Sequence, residues 1–233
     1  MLNFIGEFET KGDLLVTDPC YDPGTWCSGE IKVKPGKYKA YIEKRKIKGW
    51  GERVCSLYIV RKGESLKKLS FKKTKIDVGV DSGSAGFFNK ELYQKPLSKK
   101  IPLIGKKEYE LREDLFRIKT IPMDDVIFVN KTMDDILKGK KSNPKEWNLE
   151  LNKMKKEHNK EIKRIENQLK NIKPKDCDSS DDFDEVCFSL RLMGLGSGVE
   201  NFGVVSSSGY GDGSYNCYVN KGKEIVASYI KFI

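Results

Sequence analysis

Histidine is almost missing from this chain, which has His158 alone among its 233 residues. A Ser-His-Asp or Cys-His catalytic site would have to use this one side chain, and a metal site with several histidines is excluded. His158 lies on the apolar stripe of a predicted helix, where its simplest role is packing. General acid or base chemistry would therefore fall to carboxylates, tyrosine or lysine.

The six cysteines form no Cys-x-x-Cys pair, which excludes a zinc ribbon and a thioredoxin-like redox site. We expect most of them to be reduced and to pack as small buried hydrophobic residues. Cys20 and Cys27 are the one pair close enough in sequence to suggest a disulfide or a metal site. The full set is Cys20, Cys27, Cys55, Cys177, Cys187 and Cys217.

Long apolar segments are also absent. No run approaches the length of about 18 apolar residues that crosses a bilayer. The N-terminus does not have the charged and then apolar profile of a signal peptide. These absences predict a cytoplasmic protein that does not associate with membranes.

Arginine is scarce, although the chain is basic. The formal net charge of +10 raises nucleic acid or another anion as a partner, but only seven of the 44 cationic residues are arginine. Planar bidentate recognition of phosphate and guanine favours arginine over lysine. The basic clusters at 44–48, 67–75 and 99–107 are not regularly interleaved with aromatic residues, as a base-stacking surface would be. A solvated lysine-rich surface is thus favoured over a nucleic-acid partner.

What the sequence does contain is alternation typical of β-strands. The second predicted strand has Tyr38, Ala40 and Ile42 on one face and charged residues opposite. We expect a mainly β, α+β fold: an antiparallel β-sandwich or partly open barrel that forms a single domain over residues 1–233. The predicted strands are 14–17, 37–43, 53–60, 76–80, 126–129, 186–193, 203–207, 215–219 and 224–232.

One long amphipathic helix is predicted at about 144–173. Asn143 and Pro144 suit its start, Pro174 its end, and apolar residues recur along it with the period of a straight helix. At a rise of 1.5 Å per residue it would be roughly 45 Å long, enough to project as an arm. With the acidic loop at 176–185 it makes a predicted insertion, 130–185, within the β-rich domain.

Three turn motifs, with glycine in or near them, stand out at predicted strand ends: TDPCY (17–21), VDSGSAGFF (80–88) and SSGYGDGSY (207–215). The Asp-Ser-Gly-Ser string has the shape found in aspartic proteases, but those enzymes need a second such aspartate and the chain has no second copy. The acidic loop lacks the Gly and Glu positions of an EF-hand. Taken singly, each motif is best explained as a turn.

The motifs VDSGSAGFF and SSGYGDGSY together resemble an uncharacterised bacterial and phage family that pairs a VDSGxxGFF segment with a C-terminal SGYGDGxY hairpin. The opening TDPCY, followed by Trp26, is similar to the start of the same group. The match covers both ends and the middle of the chain, but not the helical segment 130–173 or the acidic loop. The resemblance implies a β-rich cytosolic protein whose three turn motifs belong together, and it brings no activity with it.

We interpret the chain as a non-enzymatic binding protein in which these turns converge, because loops at one end of a sandwich gather there. The expected partner is a small ligand, an ion or a peptide. No catalytic or metal-binding residue is assigned, and the cofactor and the oligomeric state are left open. The predicted ligand-binding residues are Asp18, Tyr21, Asp81, Ser82, Ser208, Tyr210 and Asp212.

Two alternatives come from other functional classes. A hydrolase could use Asp81 and Asp212 as acid and base, with or without a divalent metal; it would need these carboxyl groups close together beside a concave pocket. An interaction protein of phage–host conflict would instead act through the long helix and its lysine-rich surface.

Overall fold

The computed structural model describes residues 2–48, 50–97, 101–103, 106–120, 144–171, 179–180, 182–193 and 196–233. The strands are β1 (Leu2–Thr10), β2 (Asp13–Thr17), β3 (Gly29–Lys32), β4 (Gly36–Ile47), β5 (Gly51–Arg61), β6 (Phe71–Val80), β7 (Ser84–Asn89), β8 (Ile101–Pro102), β9 (Ser179–Ser180), β10 (Ser197–Glu200), β11 (Gly203–Ser207), β12 (Gly213–Asn220) and β13 (Ala227–Lys231). The helices are α1 (Lys106–Thr120), α2 (Pro144–Lys170) and α3 (Phe183–Met193), with a 3-10 turn at Leu66–Lys68.

Two antiparallel sheets make up most of the structure. Sheet A has the strand order β1-β4-β5-β13-β12-β6, and sheet B has the order β10-β11-β7-β2-β3. Among the described residues neither sheet closes into a barrel, so the predicted mainly β, sandwich-like α+β fold is confirmed. A short third pairing joins β8 to β9.

The main core lies between the two sheets. Tyr38, Ala40 and Ile42 are buried at alternate positions of β4, as the sequence pattern predicts. Sheet B contributes Val16 and Phe87 to the same core. Burying a side chain such as Phe87 completely stabilises a fold by about 2–3 kcal/mol, so this layer is a major source of stability.

A second core covers the outer face of sheet B. It explains why strand β7, which was not predicted, has an apolar sequence without alternation. All six residues of β7 are buried, with Phe87 in the main core and Phe88 in the second. Phe88 packs there against Phe183 of α3 and Phe202, with ring centroids 5.4 and 6.4 Å apart. A strand covered on both faces has an apolar run instead of an alternation, which hides its period.

The prediction of a strand at 186–193 was wrong, because these residues belong to α3. Val186 and Leu190 are buried together with Phe183 and Cys187, a spacing that fits a helix face better than a strand face. The helix starts at a cap: the Asp182 Oδ1 accepts a hydrogen bond from the Glu185 N–H at 3.0 Å. The acidic loop predicted up to residue 185 therefore ends in the first turn of this helix.

Other predicted boundaries changed less. Strands β1, β3 and β10 were not predicted, and the strand at 76–80 is the end of the longer β6. The helix expected at 144–173 is present as α2, which ends at Lys170, and α1 is a further helix. The predicted strand at 126–129, the residues Asn143, Pro174 and Cys177, and part of the acidic loop lie outside the described residues.

Backbone contacts divide the chain into two compact units. The first comprises residues 1–45, 54–105 and 176–233 and contains the sheets and α3. The second comprises residues 46–53 and 106–175. Within it, α1 packs against α2, Leu115 and Ile165 are buried, and Lys119 forms a salt bridge with Glu166 at 2.7 Å.

No described helix combines the length and the apolar character needed to cross a membrane.

Candidate functional site

The three turn motifs meet at one edge of the first unit. Strand β7 lies between β11 and β2, and the register pairs Ser84 with Ser207 and Gly86 with Thr17. The start of β7 is therefore level with the ends of β2 and β11. Turn 81–83 leads from β6 to β7, and turn 208–212 leads from β11 to β12, so both cross between the sheets at this edge.

Asp18 is the buried centre of this edge, with no exposed surface. Its Oδ1 accepts hydrogen bonds from the Cys20 N–H at 2.9 Å and the Ser82 hydroxyl at 2.7 Å. Its Oδ2 accepts hydrogen bonds from the N–H groups of Asp81 at 2.9 Å and Ser82 at 2.7 Å. These four bonds use the acceptor capacity of the carboxylate. Asp18 therefore ties the first motif to the second and has no acceptor site left for a ligand.

Tyr21 lies on the loop that Asp18 holds. Its hydroxyl interacts with the carboxylate of the exposed Asp81, and this contact, reinforced by desolvation, raises the pKa of Tyr21. A neutral phenol is favoured because ionisation would place a second negative charge close to the Asp81 carboxylate. Tyr21 is therefore a neutral donor at ordinary pH.

Two residues that follow β7 fix the backbone of the same loop. The buried Tyr93 donates hydrogen bonds from its hydroxyl to the carbonyls of Tyr21 at 2.6 Å and Asp18 at 3.0 Å. The Gln94 Nε2 also donates to the Tyr21 carbonyl, at 3.0 Å. Burial raises the pKa of Tyr93, so this donor stays protonated. The sequence offered no signal for either residue, since neither belongs to a motif.

Arg191 of α3 holds the second motif from another side. Its Nη1 donates hydrogen bonds to the Ser84 hydroxyl at 2.8 Å and to the Ser82 carbonyl at 3.2 Å. The guanidinium also lies over the Phe188 ring, 4.8 Å from the centroid. The sequence analysis missed this role because it predicted a strand at 186–193.

The third motif joins the second through the backbone, because the Ser208 N–H donates to the Gly83 carbonyl at 3.1 Å. The buried Ser208 also donates from its hydroxyl to the Gly211 carbonyl at 2.7 Å, and the Tyr215 hydroxyl donates to the same carbonyl at 2.8 Å. These two hydrogen bonds fix the turn of the hairpin from its buried side. Gly209 has φ of +67°, which favours glycine at that position.

The predicted site residues separate into two groups. Asp18 and Ser208 are buried and hold the turns, and the hydroxyl of Ser82 is used by Asp18. The exposed members are Asp81, Ser82, Tyr210 and Asp212, with Tyr21 partly exposed. The β6–β12 pairing ends at Val80 and Gly213, and Asp81 and Asp212 are the adjoining residues in turns 81–83 and 208–212.

A concave pocket of about 450 Å³ adjoins the first motif. Burial and the negative charges of Asp182, Asp18 and Asp22 raise the pKa of Asp184 in its wall. The pocket is lined by Asp22, Gln94, Lys95, Pro96, Asp182, Phe183 and Asp184. Asp81 and Asp212 are not part of this lining.

Neither cysteines nor carboxylates form a metal site within the part of the chain that the structure describes. No group of three or more His, Cys, Asp or Glu residues is arranged there to hold a metal ion. Cys20 and Cys27, the pair singled out from the sequence, are both free thiols. Desolvation, reinforced by the Asp18 carboxylate, raises the pKa of the Cys20 thiol to about 12, so it is a poor nucleophile.

No protein-family model, curated protein or solved structure matches this chain.

Proposed function

We propose that this chain is a cytosolic, non-enzymatic binding protein that holds a cationic ligand, such as an amine or a basic peptide, at the turn-bearing edge. The proposal rests on a difference between two groups of motif residues, one buried and one exposed. Asp18 and Ser208 are buried and fully engaged in fixing three turns, while Asp81, Asp212 and Tyr210 are left exposed on them. Such fixed, exposed polar groups can bind without ordering themselves first.

The chemistry of the exposed groups favours a cation. The carboxylates of Asp81 and Asp212 are both exposed, in a protein with a net charge of +10. The adjoining pocket adds Asp22, Asp182 and Asp184. Carboxylates provide charge-assisted hydrogen-bond acceptors for ammonium and guanidinium groups.

Exposed aromatic side chains lie on the loops that carry the third and the first motifs. Tyr210 is 45% exposed at the hairpin tip, and Trp26, on the loop between β2 and β3, is 90% exposed. Large exposed aromatic residues are typical of contact surfaces, and their rings attract cations. A ligand with a cationic head and an apolar stem would match both kinds of group.

The hydrolase alternative has less support. Asp81 and Asp212 adjoin the paired residues Val80 and Gly213, but both are exposed and neither lines the concave pocket. A carboxylate acid–base pair works best where water is excluded around the reacting bond. The alternative based on the long helix stays a prediction.

Small charged probes test the proposal directly. We expect N-acetyl-arginine amide and spermidine to shift the backbone amide resonances of Ser82 and Gly211 in ¹H–¹⁵N spectra, while N-acetyl-glutamate amide does not. The double substitution D81N/D212N should abolish these shifts, because it removes both exposed charges. Asp77→Asn, which removes an exposed carboxylate earlier on β6, is the matched control and should leave them intact.

Three results would contradict the proposal. The first is the absence of cation-dependent shifts at the turns in the wild-type protein. The second is equal shifts with the cationic and anionic probes, and the third is shifts that survive in D81N/D212N. Turnover of ester or glycoside substrates that is lost in the same double variant would instead support the hydrolase.

A further inference from the structure

The outer face of sheet A carries a row of stacked tyrosines. Tyr58, Tyr229 and Tyr218 are direct cross-strand neighbours on β5, β13 and β12. The Tyr218 and Tyr229 rings are nearly parallel with centroids 4.6 Å apart, and the Tyr58 and Tyr229 centroids are 4.8 Å apart. Phe71 of β6 contacts Tyr229 edge-on at 5.1 Å. Because the next residue, Ile230, points into the main core, the row points away from it.

Lysines surround this row. Lys73 of β6 pairs directly with Tyr218, and Lys231 lies two residues from Tyr229 on the same face of β13. The β6–β12 register shifts between the Tyr218–Lys73 pair and the Asn216–Asp77 pair, and Lys75 lies on β6 within this irregular stretch. All three lysines are exposed, and none forms a salt bridge with another described residue. Two carboxylates are also close to this face: the register places Asp77 opposite Asn216, and the Glu43 charge acts on Tyr58.

We propose that this tyrosine row and its lysines bind single-stranded nucleic acid. Bases stack on aromatic rings whatever their sequence, while lysines neutralise the phosphates and release counterions. The net charge of +10 complements a polyanion over the whole protein. Aromatic residues on an open sheet face bind RNA in this way in other folds, where they stack two or three bases.

The dimensions suit a short single strand. Strands lie about 4.8 Å apart, so the row from Tyr58 to Lys73 crosses roughly 14 Å of sheet. The tyrosine rings are partly buried among their neighbours and cannot reach bases inside a duplex. The Tyr229 ring is stacked between those of Tyr218 and Tyr58, so a base that is already unstacked would stack on the outward face of Tyr218 or Tyr58, at either end of the row. The face should therefore prefer single strands to duplexes.

The sequence pattern pointed away from this partner because no basic cluster contains regularly interleaved aromatics. The aromatics and the lysines come from β5, β6, β12 and β13, which are far apart in sequence. Sheet pairing brings Tyr58 beside Tyr229 across 171 positions of chain. Lysine also suits sequence-independent phosphate contact, for which planar bidentate geometry is unnecessary.

Fluorescence anisotropy with labelled oligonucleotides of about 12 nucleotides tests the proposal, since such sites span about 4–16 nucleotides. The probes are oligo-dT, oligo-rU and a duplex of the same length. We expect both single strands to bind with micromolar dissociation constants at low salt and the duplex to bind at least about tenfold more weakly.

Paired substitutions separate stacking from charge. Tyr218→Leu should weaken oligo-dT binding by about tenfold, whereas Tyr218→Phe, which keeps the ring, should bind nearly as well as the wild type. Lys73→Gln and Lys231→Gln should each reduce the slope of log K against log salt by about 0.7. Lys32→Gln removes an exposed lysine from a strand of sheet B and is the matched control, with no change expected.

Several outcomes would overturn the proposal: no binding of either single strand at low salt, equal binding of the duplex, or the same affinity in the Leu and Phe variants at Tyr218. Competition by polyglutamate as strong as by unlabelled oligo-dT would assign the face to acidic protein partners instead. The lysine and Phe variants keep the test decisive if Tyr218→Leu does not fold.

Discussion

The Asp18→Asn substitution is the sharpest test of how the turn-bearing edge is built. It keeps the size of a buried side chain but replaces one of two carboxylate oxygens with an amide NH₂ and removes the negative charge. In the wild type each oxygen accepts two hydrogen bonds. The variant therefore presents a donor to groups that are themselves donors.

The magnitude follows from which oxygen is kept. The asparagine oxygen is best placed at the Oδ2 position, where it still accepts from the N–H groups of Asp81 and Ser82. The NH₂ then faces the Ser82 hydroxyl, which can rotate to accept, and the Cys20 N–H, which cannot. One unpaired buried N–H together with the loss of charge-assisted bonds costs about 2–3 kcal/mol. Asp18→Ala loses all four bonds and leaves a void, and should cost about 4–5 kcal/mol.

Urea denaturation measures the predicted loss of overall stability, and amide hydrogen exchange measures the predicted local opening of the turns. Denaturation should show the lower unfolding free energy of D18N, and exchange should show faster opening at the amides of Asp81, Ser82 and Cys20. Ser82→Ala is a graded control, because it removes one of the four bonds and should cost about 1 kcal/mol. If D18N changed stability by less than about 0.5 kcal/mol and left these amides protected, the assignment of Asp18 as the central brace would be wrong.

Two further predictions concern the same turns. Because the Cys20 pKa is raised to about 12, iodoacetamide at pH 8 should alkylate this exposed thiol at least about a hundredfold more slowly than free cysteine. Asp18→Asn should speed the alkylation. Peptide mapping measures the rates in both proteins, and a rate equal to that of free cysteine in the wild type would refute the prediction. Gly209→Ala should destabilise by about 1–3 kcal/mol more than Gly83→Ala. Both glycines have φ of +67°, but the new Cβ at Gly209 would lie 2.9 Å from the Phe232 Cβ, whereas the one at Gly83 meets only an Arg191 side-chain nitrogen at 3.6 Å. Equal unfolding free energies of the two variants would show that backbone strain alone accounts for the effect.

The motifs contain two kinds of residue that look alike in sequence. Asp18 and Asp81 are both aspartates beside strand ends, yet one is fully buried and the other is exposed. The difference arises because the Asp81 backbone donates to the Asp18 side chain. A search for binding residues at this edge should therefore start from Asp81, Tyr210 and Asp212.

The error at 186–193 has a specific cause. Val186, Phe188, Leu190 and Leu192 alternate like a strand, while Phe183, Val186, Cys187 and Leu190 repeat like a helix. The same residues fit both the strand period and the helix period, so the local sequence pattern does not distinguish a strand from a helix here. The Asp182 cap and the apolar outer face of sheet B, which α3 covers, favour the helix.

The sequence by itself determined the β-rich class, the course of α2 and the turn character of the three motifs, because alternation, helical period and glycine placement are local properties. Only the tertiary structure decided that the motifs converge and that the Asp18 carboxylate is fully used in hydrogen bonds to the turns. It also decided that Tyr58, Tyr218 and Tyr229 form one row. These outcomes depend on strand order and register between segments tens of residues apart. Sheet pairing sets those contacts, and no single segment encodes its partner.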